Sequence, residues 1–164
     1  MEITQFEAWV FLPFVLPICF YVAFTDLREM RITNQAVMAL GLVFLALGWI
    51  ALPFDQYLWR LAQLAIVLVA GFVLNAAGAF GAGDAKFAAA AAPFIALGDV
   101  MTLFIILMAN LLAAVSTHRI AKYTGLRRFA PHWESWDKKK DFPMGLSLGG
   151  TLAIYLIIGA VIGS

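Results

Sequence analysis

Two carboxylates stand out in a chain that has few places for charge. Asp84 lies within Gly81-Ala82-Gly83-Asp84-Ala85-Lys86, and Asp26 opens Asp26-Leu27-Arg28-Glu29-Met30-Arg31 at the end of an apolar run. An Asp or Lys at the centre of a bilayer helix costs about 2.5–3.5 kcal/mol, so residues of this kind bordering apolar runs call for a physical reason. Two carboxylates that share a site resist joint ionisation, and the pair can hold one proton between them. The ionised member can then draw a proton from water while the protonated member polarises a carbonyl. That is acid–base hydrolysis of a peptide bond, and its need for water favours a membrane boundary over the bilayer centre.

Each aspartate also has a plainer explanation. A helix beginning near Ala85 would make Asp84 an N-cap, accepting free backbone N–H groups and favoured by the helix dipole. Gly81 and Gly83 would allow positive φ and a close backbone approach at that turn. Asp26 reads equally as a boundary carboxylate balanced by Arg28 and Arg31. Gly98-Asp99 reads as an ordinary helix cap, without chemistry. The case for catalysis therefore depends on whether the surrounding elements bring Asp26 and Asp84 to one face.

Composition defines those elements. Of the 164 residues 63% are hydrophobic and only 13% charged, against about 45–50% and about 25% in a soluble domain. This is an all-α, polytopic integral membrane protein in a single domain, residues 1–164. Six apolar segments approach the ~20 residues that a bilayer core requires. They run from Ala8 to Phe24, Asn34 to Leu52, Leu58 to Ala77, Ala85 to Leu97, Val100 to Thr117 and Pro143 to Ile162. The fourth is short and alanine-rich. The acidic start, with Glu2 and Glu7, does not resemble a cleavable signal peptide, so the first segment is expected to remain as a span.

The basic residues orient the weave. Arg28 and Arg31 follow the first segment, Lys86 follows the Gly81 turn, and Arg119, Lys122, Arg127, Arg128, Lys138, Lys139 and Lys140 lie between the fifth and sixth. Arg60 alone falls on the other side, among Glu2, Glu7, Asp55 and Asp99. By the positive-inside rule the basic side is cytoplasmic and both termini point outward, which puts Asp26 and Asp84 on the same cytoplasmic face. The loop from His118 to Asp141 mixes Trp133 and Trp136 with basic residues, as a segment at a lipid headgroup boundary does. His118 and His132 read as solvated residues of that loop. Nothing in the chain is basic and large enough to track nucleic acid. The single cysteine, Cys19, reads as a small buried hydrophobe, which leaves no internal disulfide and no cysteine zinc site; no metal is expected.

Taken in order, these residues resemble the type IV prepilin peptidases, a branch of the GxGD aspartyl proteases. Gly81 to Lys86 matches the family's GxGDxK motif. Asp26 to Asn34 is similar to its first-aspartate motif, an Asp followed by a basic stretch and Ile-Pro-Asn, with Thr33 here in place of the Pro. Phe142-Pro143-Met144-Gly145, with Gly149 and Gly150 behind it, is similar to the family's Pro-x-Gly segment. The resemblance implies an aspartic endopeptidase that removes the short basic leader of a prepilin or pseudopilin at the cytoplasmic face of a bacterial inner membrane, with Asp26 and Asp84 as the catalytic pair. The paired-cysteine segment of long members is missing, and the compact length resembles the peptidases of Tad/Flp pili. N-methylation of the product is accordingly not expected, nor is any cofactor.

Around the pair, Gly81, Gly83, Lys86, Arg28, Arg31, Asn34, Pro143 and Gly145 are candidates for supporting or substrate-binding roles. The basic ones could meet an acidic residue early in the pilin. Asn34 otherwise reads as a helix cap, and Lys86 as a headgroup contact. Asn75 and Asn110 read as interhelical hydrogen-bonding residues, and Gly145, Gly149 and Gly150 as sites of close helix packing. Two other functions use the same carboxylates: a presenilin-like protease that cuts within transmembrane helices, and a small transporter with Asp26 and Asp84 as a proton relay.

Overall fold

The computed structural model describes residues 1–124, 128, 130, 132–136 and 142–164. Among these there are six α-helices and no strand: α1 Gln5–Glu29, α2 Asn34–Ala51, α3 Phe54–Ala76, α4 Ala82–Ala91, α5 Val100–Tyr123 and α6 Met144–Ile162. Helix α1 starts at a capping box, in which the Thr4 hydroxyl accepts from Glu7 N–H at 3.1 Å and donates to the Glu7 carboxylate at 3.2 Å. It ends at Met30, which adopts a left-handed conformation (φ 51°, ψ 38°) and turns the chain towards α2. Thr33 then caps α2 by accepting from Ala36 N–H. Thr33 thus starts this helix through its own side chain.

The helices α1, α2, α3, α5 and α6 are long and apolar enough to cross a membrane. The segment expected from Ala85 to Leu97 is not a continuous span. Helix α4 has only ten residues and is followed by two 3-10 turns, Ala92–Phe94 and Leu97–Asp99, joined by extended Ile95 and Ala96. Pro93 explains the break, because it lacks an N–H and its ring clashes with the preceding helical turn. The segment still crosses the bundle. Ten α residues, two 3-10 turns and two extended residues reach about 34 Å, close to the ~33 Å of α1 between Thr4 and Asp26.

Asp99 fixes the far end of that crossing. Its carboxylate accepts from Glu2 N–H at 2.7 Å, Ile3 N–H at 2.9 Å and the Tyr155 hydroxyl at 2.9 Å. It is therefore a buried lock between three elements rather than a simple helix cap, and α5 receives no side-chain capping bond from it. Ser164 N–H donates to Ile3 carbonyl, so Ser164 meets the segment before α1 at this same end. Nearby, buried Arg60 pairs with buried Glu7 at 3.5 Å and donates to Pro93 carbonyl at 3.3 Å. The only basic residue expected at this end is thus neutralised inside the bundle.

Helix α1 lies at the centre, packed along its length on α6 and also on α2. Gly149 makes the α1–α6 approach possible: a Cβ there would stand 2.9 Å from the Cys19 carbonyl oxygen. Cys19 is buried as expected. Phe11, Phe44 and Phe94 join α1, α2 and the α4 crossing, with Phe11 and Phe94 edge-to-face at 4.9 Å. Trp9, Phe20, Leu42, Phe72 and Ile105 project outward, as lipid-facing side chains do. Asn110 links α5 to α6 by donating to Ser147 carbonyl and Thr151 hydroxyl. Asn75 instead donates to Phe80 carbonyl within the α3–α4 turn.

The polar loop begins later than expected, because α5 continues through His118 to Tyr123. His118 is buried rather than solvated, stacked on Trp136 at 4.9 Å and edge-on to Phe142 at 5.8 Å. Trp136 is itself buried and stacks on Trp133, which meets Phe24 of α1. These aromatic residues pack on the bundle through stacked and edge-to-face ring contacts. Arg127, Lys138, Lys139 and Lys140, expected in this loop, lie outside the described residues.

Candidate active site

Asp26 occupies the last turn of α1, where the helix runs under the start of α6. The carboxylate is buried, and its Oδ2 accepts from Gly145 N–H at 2.6 Å. Gly145 belongs to the first turn of α6, whose N–H groups lack intrahelical acceptors. The carboxylate therefore satisfies an orphan donor of α6. Only a glycine fits there. A Cβ on Gly145 would stand 2.9 Å from Asp26 Cβ and 3.0 Å from its Cγ and Oδ2.

Asp84 approaches from α4. The helix starts at Ala82 with Gly81 as its N-cap, so Asp84 sits in the first turn and is not the cap itself. Its side chain folds back over Gly81, where any Cβ would collide with Asp84 Oδ2. Gly81 has φ −67°, and the positive φ in this turn falls on Gly78 instead. The glycine expected to supply an unusual backbone angle thus supplies room. At Gly83 a Cβ would meet Ile32 at an ordinary 3.4 Å, so it brings α4 near the α1–α2 turn without being indispensable there.

Both carboxylates line one cavity of about 400 Å³ at the end of the bundle opposite Asp99. The negative field of Asp26 reaches Asp84. Burial, reinforced by that field, pushes the Asp84 carboxyl up to about 6. Up to about pH 6 the pair holds one proton and one charge, the state that can both activate water and polarise a carbonyl.

The remaining candidates divide. Gly81, Gly83, Arg31, Asn34 and Lys86 line the cavity. Asn34 is not the cap of α2, since Thr33 has that position; its Oδ1 accepts from Lys86 Nζ at 3.2 Å, which ties α2 to α4 across the cavity rim. Gly145 acts through Asp26, and buried Pro143 begins α6. Arg28 is not brought to the site: it is exposed, pairs with neighbouring Glu29 and lies over the Phe24 ring at 5.7 Å. Met30, Ile32, Phe142 and Met144 also line the cavity and were missed. Their only signal is their place inside the motifs, because an apolar side chain does not reveal from sequence which cavity it will face. Among the described residues no group of three His, Cys, Asp or Glu side chains could hold a metal ion.

Comparison with known proteins adds a single family. The model of the type IV leader peptidase family matches residues 13–117, well over half of the chain and inclusive of both aspartates. No curated protein and no solved structure matches it.

Proposed function

The chain belongs to the type IV leader peptidase family, and from that premise we propose that it is an aspartic endopeptidase that removes the basic leader of a prepilin or pseudopilin at the cytoplasmic membrane face. The observation that carries this reading is the shared cavity of Asp26 and Asp84, with Asp26 fixed by the Gly145 N–H. The asymmetry of their surroundings supports distinct roles. Asp26, hydrogen-bonded at a helix N-terminus, is the ionised base, and Asp84, raised to about 6, is the protonated acid.

In the reaction, Asp26 takes a proton from water as the water oxygen attacks the scissile carbonyl carbon. Asp84 gives its proton to the carbonyl oxygen, forming a neutral tetrahedral diol. The diol then collapses: Asp26 returns its proton to the departing nitrogen, and Asp84 recovers one from a diol hydroxyl. The C–N bond breaks, both carboxyls regain their starting state, and one water is consumed. This sequence needs no metal or cofactor. The positive-inside pattern supports the cytoplasmic placement, with the inner membrane of a bacterium as the location. The lone Cys19 supports a compact member of the kind that serves Tad/Flp pili, without methylation of the product.

Purified Asp26→Asn and Asp84→Asn variants, incubated with a prepilin in detergent, test the proposal. Each is expected to lose about 10²–10⁴-fold in cleavage rate, the usual contribution of an acid–base group. Parental rates in either variant would rule out the paired mechanism. Cleavage inside the substrate's apolar helix, rather than before it, would favour the presenilin-like alternative. A parental protein that binds no prepilin but moves protons across vesicles would favour the transporter.

A further inference from the structure

Neither step of the acid–base mechanism uses His118, Trp133 or Trp136, yet their rings form one continuous chain beside the site. Phe24 of α1 meets Trp133 edge-to-face at 6.1 Å, and Trp133 stacks on Trp136 at 5.6 Å. Trp136 then stacks on His118 of α5 at 4.9 Å, and His118 meets Phe142 edge-on at 5.8 Å. The turn that carries Trp136 packs on α1, and its indole N–H donates to the Ala130 carbonyl at 2.7 Å. Both ends of this chain reach the site. Phe24 lies two residues before Asp26, and Phe142 lies three residues before Gly145 and lines the carboxylate cavity. The rings therefore join, from outside, the same two helix ends that the 2.6 Å bond from Gly145 N–H to Asp26 joins from within.

Resting on the peptidase reading above, we propose that His118, Trp133 and Trp136 are positioning residues, a ring clasp that holds the end of α1 against the start of α6 and so keeps Asp26 on the Gly145 N–H. Terminal turns are where a helix opens most cheaply, and this bond joins two of them. Pro143 gives α6 no side-chain cap, and the close approach of Gly149 to Cys19 lies one turn further into the helix. The first turn of α6 thus depends on other contacts, and stacked and edge-to-face rings supply them. His118 links the two halves of the clasp. It is buried, and its Nε2 has no hydrogen-bond partner among the described residues. With that nitrogen unbonded, what the imidazole gives its neighbours is the contact of a flat ring, which a phenyl ring can also give.

Amide exchange tests the clasp without relying on catalysis. In protein labelled isotopically at glycine and followed by NMR in detergent, Gly145 N–H reports the Asp26 bond directly, because an amide in the first turn of a helix has no acceptor within that helix. His118→Ala and Trp133→Ala are each expected to speed its exchange at least ~5-fold, while Gly159, at the far end of α6, keeps its parental rate. His118→Phe should keep the parental rate at both. Trp133 is only half-buried, so Trp133→Ala decides the matter even where His118→Ala folds poorly. In prepilin cleavage both alanine variants should lower kcat about 3–10-fold, with KM within about twofold of parental. In a Gly145→Ala background, where the bond is already lost, His118→Ala should cost no further kcat. Unchanged Gly145 exchange in Trp133→Ala, equal acceleration at Gly159, or additive kcat losses with Gly145→Ala overturn the clasp. If the parental protein cuts no prepilin, the peptidase reading falls, and exchange still decides the clasp.

Discussion

Replacing Gly145 by Ala tests the arrangement of the site without touching either carboxylate. The added methyl would stand 2.9 Å from Asp26 Cβ and 3.0 Å from Cγ and Oδ2. Helix α6 has no slack to retreat, because Gly149 already meets the Cys19 carbonyl and Gly159 meets Ile3 with the same closeness, 2.9 Å for an added Cβ. The carboxylate must therefore move, and the 2.6 Å bond from Gly145 N–H is lost. A hydrogen bond to a charged group contributes about 1.5–3 kcal/mol, which at about 1.4 kcal/mol per tenfold predicts a 10–100-fold fall in kcat. KM should change by less than about threefold, since the cations Arg31 and Lys86 that line the cavity are not altered. The assay is single-turnover cleavage of a prepilin in proteoliposomes, with melting temperature measured in parallel. Gly149→Ala is the control: it strains the same helix pair away from the carboxylates and is expected to lower stability while kcat per folded molecule stays near parental. Parental kcat in Gly145→Ala, or equal kcat losses in the two variants, would refute the assignment of Gly145 as the residue that positions Asp26.

Other expectations follow from the same geometry. Asp84, raised from 3.8 to about 6, binds its proton more tightly in the folded than in the unfolded chain, so its ionisation costs stability as pH rises from 3.8 to about 6 and by a constant amount above. Asp84→Asn should accordingly raise the melting temperature at pH 7 and leave it nearly unchanged at pH 4, and the same effect at both pH values would contradict the shift. Cleavage by the parental protein should decline tenfold per unit above about pH 6, as the pair loses its shared proton; a profile flat from pH 5 to 8 would contradict it. Charge reversal at Arg31 or Lys86, which line the cavity, should slow prepilin processing, whereas Arg28→Glu should not, because Arg28 is paired with Glu29 outside it; parallel kinetics of the three variants decide this. Glu7→Leu leaves the buried Arg60 cation without its partner and should cost about 3–5 kcal/mol, read as a large loss of melting temperature or of folded yield.

Much of this was legible in the sequence because the membrane simplifies the code. Long apolar runs can only be helices where no water satisfies the backbone, so five of the six crossings follow from composition and length. The fourth was harder. Ala85 to Leu97 has the right polarity, but Pro93 divides it into a short helix and 3-10 turns, and its ability to cross depends on two extended residues that no periodicity announces. His118 and Trp136 were misread for a related reason. A polar or amphipathic residue beyond an apolar run looks solvated until a stacking partner from elsewhere is known.

The sequence by itself determined the class of the molecule and singled out two aspartates as its candidate chemical groups. Aspartates at the edge of apolar runs are too costly to be incidental, and their motifs sufficed to name a family. What only the tertiary structure decided is the asymmetry between them. Asp26 receives the Gly145 N–H from α6, more than a hundred residues away in the chain, while Asp84 is folded over Gly81 and raised by burial and by its partner's charge. Burial and field are properties of the space around a group, and the residues that fill that space here come from α1, α2, α4 and α6 together.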